Sequence, residues 1–397
     1  MEIIVSLLML LGISILLGKF AEGLGIPDVV GNILAGILLG PMILGLIQPS
    51  ATLSGIGDVS LFFITLLIGI EVDTSAISGH VKSALGLSLS SFILPFIIMF
   101  AAFSYLFLFS PADALITSLA ISIPSISIVS VLLMEYKLVD AEDGKRILSA
   151  VVASDTVAFL ILAFAIGKTS PLTIILGIAI FFALFISIDK YLRKYDKKAR
   201  HTFFRISSVD EDFPFAVIIL AGLVVSAVLD IIGITYVLGG FFAGILIHET
   251  IVGRDLFGTF KRTFRRMNNS FFIPVFFSTA GLLVAYVSMS IFYYVAVSVL
   301  IVVIAGGAMT ILAGRALFDN LKPTAGASIL GGRGAVGIII ASLAFSDGVI
   351  GQVSYTAIII STIIISIVMP SMLRFGIAKQ NATRMRTRNP VAPKRRR

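Results

Sequence analysis

The chain has 397 residues, of which 58% are hydrophobic and only 13% charged, with a mean hydropathy of +1.07. Apolar runs of bilayer-crossing length recur along nearly all of it, which excludes a water-soluble globular domain; runs of helix length rather than short alternations also exclude a barrel. There is no cysteine, so disulfide and thiol chemistry are excluded, and the net charge of +8 is accounted for by cytoplasmic loops rather than by nucleic-acid binding.

Thirteen spans are predicted, at 3–18, 28–47, 55–72, 84–109, 112–134, 147–167, 171–188, 213–233, 235–250, 269–287, 290–314, 325–346 and 352–373. The first has only Glu2 before it and no small-residue cleavage site after it, so it reads as a retained span and not as a signal peptide. Assigning the connections alternately to two sides leaves Lys168 alone on one side and 28 of the 30 basic residues on the other, with Arg333 inside a span. The positive-inside rule then puts the N-terminus outside and the C-terminus in the cytoplasm of a cell-membrane, multi-pass protein.

In chain order, Glu71 and Asp73 lie at the inner end of span 3, placed to line an inner vestibule. Span 5 reads TSLAISIPSISIV, where Pro124 removes a backbone donor in mid-membrane among Thr117, Ser122, Ser125 and Ser127. A break of this kind frees carbonyls, and carbonyls with hydroxyls suit a small hard cation. Span 6 carries Asp155, flanked by Ser154 and Thr156, nine residues after Arg146 and thirteen before Lys168. That is about 13 Å from the cytoplasmic edge at 1.5 Å per residue. A carboxylate at such depth is costly, faces a cavity and is a candidate site for proton or cation exchange.

His248 and Glu249 end span 9 and read as a solvated helix end. In span 12, SILGGRGAVGIII, three glycines weaken the helix around Arg333, whose charge is placed to neutralise exposed carbonyl ends or to pair with an acid; GGRG lacks the Lys-Ser/Thr of a phosphate loop. The tail RMRTRNPVAPKRRR reads as a disordered segment that anchors to anionic lipid. Gly36, Gly40, Gly239, Gly240 and Gly244 read as packing glycines.

One segment occurs twice. GIPDVVGNILAGIL at 25–38 returns as GITYVLGGFFAGIL at 233–246 with eight of fourteen residues identical, and Phe62-Phe63-Ile64 returns as Phe271-Phe272-Ile273. At this offset Pro124 corresponds to about Arg333. The copies lie seven spans apart and so cross in opposite directions, an inverted repeat of spans 1–6 and 8–13. Transporters so built hold their substrate near the midplane, at interrupted helices.

GIPDVVGNILAGILLGP in span 2, LFFITLLIGIEVD in span 3, the interrupted span 5, Asp155, FFIPVFFSTAGL in span 10 and RGAVGIIIASLAFSDGVI in span 12 together resemble the monovalent cation/proton antiporter superfamily from about residue 10 to 375. The resemblance implies an all-α polytopic, NhaA-like fold of 13 transmembrane helices. A dimerisation domain (1–82 and 213–288) and a core or transport domain (83–168 and 289–375) are joined by a linker (169–212) and followed by a basic tail (376–397). It also implies a homodimer, a transporter with no cofactor and no enzymatic role, and exchange of Na⁺ (also Li⁺, or K⁺ as in Kef-type relatives) for H⁺. Asp155 matches the family's ion-binding aspartate, with Ser154, Ser122 and Glu71 as further cation ligands and Arg333, Ser125, Thr156 and Pro124 in support.

Three departures matter. The neighbour of Asp155 is Ser154 rather than a second acid, and span 11 has no mid-span lysine, which favours electroneutral one-for-one exchange. Ser149 stands where electroneutral relatives often hold the arginine with a glutamate, leaving Glu71 as the candidate partner of Arg333. The alternatives are a sodium-coupled organic-anion symporter and a channel; an intramembrane enzyme is disfavoured by the absence of an HExxH pair.

Overall fold

The computed structural model describes residues 2–71, 80–139, 141–167, 170, 172–177, 179, 187, 213–233, 235–247, 254–285 and 289–388. Asp73, His248, Glu249, the loop 189–212 and most of the seventh predicted span lie outside these. Among the described residues the chain is helical with no strand: α1 Ile3–Gly23, α2 Asp28–Leu39, α3 Ala51–Glu71, α4 Val81–Leu106, α5 Pro111–Ser122, α6 Ile126–Glu135, α7 Glu142–Ile166, α8 Phe213–Ile231, α9 Tyr236–Leu246, α10 Arg254–Met267, α11 Ile273–Leu282, α12 Met289–Leu317, α13 Pro323–Leu330, α14 Ala335–Ser346 and α15 Gln352–Arg388. Six of these, α1, α3, α4, α7, α12 and the Gln352–Met372 part of α15, are long and apolar enough to cross a membrane unaided.

Two boundaries differ from the sequence reading. The basic stretch before span 10 is not a loop but α10, continuous with α11 through a π turn at Asn268–Phe272. Phe257, Phe260 and Phe264 recur at helical spacing and pack against α3 and α8, so the stretch folds as an amphipathic helix with its charges on the other faces. The helix of span 13 also runs on past Pro370 to Arg388, into the tail expected to be disordered.

The extensive packing falls into two groups. In one, α2 lies against α1 and α11, and α3 lies against α9 and α11, with α8 on α9; in the other, α5 packs on α14 and α4, α7 on α4, and α15 on α12, α13 and α14. The principal contact between the groups is α11 against α14. The first group is close-packed through glycine: a Cβ on Gly36 would stand 1.9 Å from the Ser278 carbonyl, and one on Gly244 would stand 2.2 Å from the Leu66 carbonyl. Helices can approach so closely only where no side chain intervenes. Gly281 faces Gly36 and Gly69 faces Gly244 across these seams.

The second group contains two interrupted helices. α5 stops at Ser122 and resumes as α6 at Ile126; α13 stops at Leu330 and resumes as α14 at Ala335. Pro124 and the three glycines around Arg333 account for the breaks, one by removing a donor and the others by their weak helix propensity. The two unwound segments cross, with Pro124 and Arg333 as an antiparallel backbone pair and Ser125 N–H donating to the Gly332 carbonyl at 2.9 Å.

Candidate functional site

The crossing brings four helix ends together in the protein interior. The C-termini of α5 and α13 present carbonyl ends and the N-termini of α6 and α14 present N–H ends, so partial charges of both signs meet there. Arg333 deals with one of the negative ends. Its guanidinium is 1% exposed, donating through Nη1 to the Leu330 carbonyl at the end of α13 and through Nη2 to the Ser91 carbonyl, both at 2.8 Å. Ser91 lies in a π-helical turn of α4, Leu89–Ile93, a local widening that lets its carbonyl turn to a partner outside the helix. On the far side, Ser366 of α15 donates its hydroxyl to the Arg333 carbonyl. The C-terminus of α5 has no such cation among the described residues.

α7 runs beside the crossing and touches α5, α6, α13 and α14. Asp155 sits at its centre, 1% exposed, and its Oδ1 has no hydrogen-bond partner. A side chain facing lipid would be exposed on the protein surface; this one is interior. Phe159 follows one turn later on the same face and meets Phe241 of α9 at 4.9 Å between ring centroids, so the Asp155 face looks toward the seam with the first helix group. A buried carboxylate lacking a donor or a countercharge is costly as an anion, and it is relieved by a proton or by a cation.

Ser154 bonds Ser88 of α4 at 2.8 Å and the Ala150 carbonyl at 2.9 Å, tying α7 to α4 next to the acid. Ser122, the last residue of α5, turns its hydroxyl toward the Met99 sulfur of α4 at 4.0 Å. Thr156 is spent on the Val152 carbonyl of its own helix, and the Ser125 hydroxyl is buried without a partner. The Arg333 guanidinium bonds carbonyls and not an acid, so Glu71 is not its partner. Glu71 is likewise engaged elsewhere: it accepts from Arg265 Nε at 2.9 Å and Nη2 at 2.6 Å, because the helix α10, unforeseen in the sequence, brings that guanidinium to the end of α3.

Several contributors went unforeseen. Ser88 and Ser91 belong to the run Ser88-Leu89-Ser90-Ser91 inside an apolar span, a hydroxyl cluster that flags a buried polar seam. Asp143, at the start of α7, accepts backbone N–H bonds from Asp319, Asn320 and Leu321 at 2.8–2.9 Å and clamps α7 to the loop between α12 and α13.

The family model described as sodium/hydrogen exchanger, transmembrane, matches residues 7–379. The chain belongs to this exchanger family. It is therefore a multi-pass membrane transporter and not an enzyme. Among curated exchangers it is similar to a Na⁺/H⁺ antiporter of Enterococcus hirae, 26% identical over 96% of this chain and 99% of that one. It is also similar to the Na⁺/H⁺-K⁺ antiporter GerN of Bacillus cereus, 25% identical over 91% and 92% of the two chains. The solved sodium proton antiporter MjNhaP1 of Methanocaldococcus jannaschii shares its fold at a TM-score of 0.69, covering 99% of this chain and 100% of that one at 15% identity.

Proposed function

We propose that this exchanger swaps a monovalent cation, Na⁺ foremost and also Li⁺, for H⁺ at a single carboxylate, Asp155. The observation that carries the reading is that this acid lies buried, with an unpartnered Oδ1, at the centre of α7, the helix that packs against both halves of each interrupted helix. Cation and proton compete for Asp155, while Ser154 and Ser122 shape the site and Arg333 keeps the α13 carbonyl end neutral. Only the neutralised site crosses the barrier, because moving a bare carboxylate through low dielectric costs several kcal/mol. With one acid and one cation per turn, the exchange is electroneutral.

The moving part is the core group, residues 83–168 and 289–375, and the glycine-packed group, 1–82 and 213–288, holds a homodimer in the cell membrane. The inverted repeat supports the scheme: α2 against α11 and α9 against α3 use the same Gly–Gly seam, and α2 and α9 are the duplicated segment. The charge bias puts the N-terminus outside and the basic tail at the anionic inner leaflet.

The test is exchange in proteoliposomes read by a pH-sensitive dye with Na⁺, Li⁺ and K⁺. Asp155→Asn is expected to abolish exchange while leaving a folded protein; normal exchange by that variant would rule the mechanism out. A K⁺/H⁺ reading is the second possibility, favoured by GerN, whose name includes K⁺. The K⁺ arm of the same assay separates the two.

A further inference from the structure

α12, α13 and α15 pack on one another in the core, yet they enclose between them a groove of about 620 Å³. Sites that hold a small organic ligand span about 300–1,000 Å³, so this space takes more than water. Val303, Ile304, Gly307 and Ile311 of α12 form its floor, with Ile329 of α13 and Met369 of α15 as walls. Gly307 leaves the floor open, since a Cβ built on it would meet no atom within 4 Å. The groove also opens sideways: Ile304 and Met372 on its edge are 62% and 49% exposed. Both belong to helices long and apolar enough to cross the membrane, so what lies beside the opening is lipid.

The chemistry changes along its length. The α12 lining from Val303 to Ile311 is apolar and rises about 12 Å, close to the about 15 Å of hydrocarbon in one leaflet. One turn beyond Ile311 on the same face comes Arg315, in the last turn of α12, and Lys322 stands at the mouth of the groove. Both cations are exposed. The acids at this end are committed elsewhere: Asp143 accepts three backbone N–H groups, and Asp319 pairs with Arg146 at 2.8 Å. Among the described residues no carboxylate forms an ion pair with Arg315 or Lys322.

We propose that this groove binds an anionic phospholipid of the leaflet on the basic side, with an acyl chain laid along α12 and the phosphate held by Lys322 and Arg315. The site goes beyond the exchange reading and uses none of its residues. A lipid-facing groove with a neutral mouth takes any phospholipid; two unpaired cations at headgroup depth select the anionic ones, each by about fivefold in affinity. Burial of the chain supplies the rest of the binding. The occupant also bears on transport. Ser328 and Ile329 in the wall precede the Leu330 carbonyl that Arg333 holds, and the Met369 methyl fills the place a Cβ on Gly331 would take. A lipid in the groove therefore props the broken helix and tunes the rate of exchange without touching the ions.

The test titrates the full-length protein in detergent with phosphatidylglycerol or phosphatidylcholine while the thermal midpoint is followed. Phosphatidylglycerol is expected to raise the midpoint at the lower concentration. Lys322→Gln and Arg315→Gln should each raise its half-effective concentration about fivefold and leave the phosphatidylcholine response unchanged. Gly307→Leu, which fills the groove, should remove the advantage of phosphatidylglycerol. Ala308→Leu, at an exposed position of the same wall, repeats the block should the first variant fold poorly. In proteoliposomes the filled variants should lose the dependence of exchange rate on phosphatidylglycerol content that the unaltered protein shows. Equal responses to the two lipids in the unaltered protein overturn the proposal. So does a phosphatidylglycerol advantage kept in both filled variants, which would put the lipid at the basic tail or at α10. The thermal readout needs no ion turnover, so it is independent of the outcome for Asp155→Asn.

Discussion

Pro124 and Arg333 meet as an antiparallel backbone pair at the point where two broken helices cross, and only one of the two residues brings a charge to the meeting. The asymmetry has a direct consequence. The α13 end is neutralised by the guanidinium of Arg333, whereas no cation among the described residues bonds the α5 end, and the helix α7 packed against α5 carries an acid with an unpartnered oxygen. A cation is attracted to the second end and repelled from the first.

Arg333→Met should therefore destabilise the core as well as stop transport. It leaves the Leu330 and Ser91 carbonyls without their donor in a dry interior, at about 1–3 kcal/mol each. The thermal midpoint in detergent should fall clearly. Arg333→Lys, which keeps the charge but lacks the fork that reaches two acceptors, should fall between the two. A midpoint unchanged in Arg333→Met would show that the carbonyl bonds contribute nothing.

Much of this site was legible in the chain because its signals are local. Pro124 within an apolar span, three glycines around Arg333 and a lone acid in span 6 each announce themselves in a window of ten residues. The partner of Arg333 did not, since the Ser91 carbonyl is a backbone group 242 positions away and becomes available only through the π turn of α4. Glu71 was misassigned for a related reason. Its true partner, Arg265, lies 194 positions on, in a segment whose charges masked the phenylalanine spacing that makes it a helix. Charge proximity along a span says little when tertiary packing can deliver a guanidinium from elsewhere.

The Glu71–Arg265 pair is accordingly expected to be dispensable for exchange. Arg265 is 54% exposed, and such pairs contribute about 0–1 kcal/mol. Glu71→Gln should leave the cation KM and the pH profile at wild-type values in proteoliposomes. A KM raised tenfold would return Glu71 to the ion path.

Gly36→Ala should be far more damaging than its one added methyl implies. The new Cβ would stand 1.9 Å from the Ser278 carbonyl, so α2 and α11 must part, at a cost of about 1–3 kcal/mol. Gly244→Ala should do the same to α9 and α3, where the corresponding distance is 2.2 Å. Gly12→Ala, with open space at that position, is the control. Thermal midpoints of the three purified variants decide it, and equal midpoints would remove the close approach as a source of stability.

Competition at one carboxylate also fixes how pH and cation must trade. If Asp155 holds either H⁺ or the cation but never both, each ligand weakens the other by mass action, and the effect is reciprocal. Raising the cation concentration lowers the share of sites that carry a proton at any given pH, so the pH at which half the sites are protonated falls. Once cation exceeds its dissociation constant, a tenfold increase should move that midpoint down by about one unit, the limit for a one-for-one exchange. The measurement is dye-reported exchange across a pH series at several Na⁺ concentrations, with cation-induced thermal shift as an independent readout. The shift should vanish in Asp155→Asn. A midpoint indifferent to Na⁺ would mean that proton and cation occupy separate sites, and the single-acid cycle would have to be abandoned.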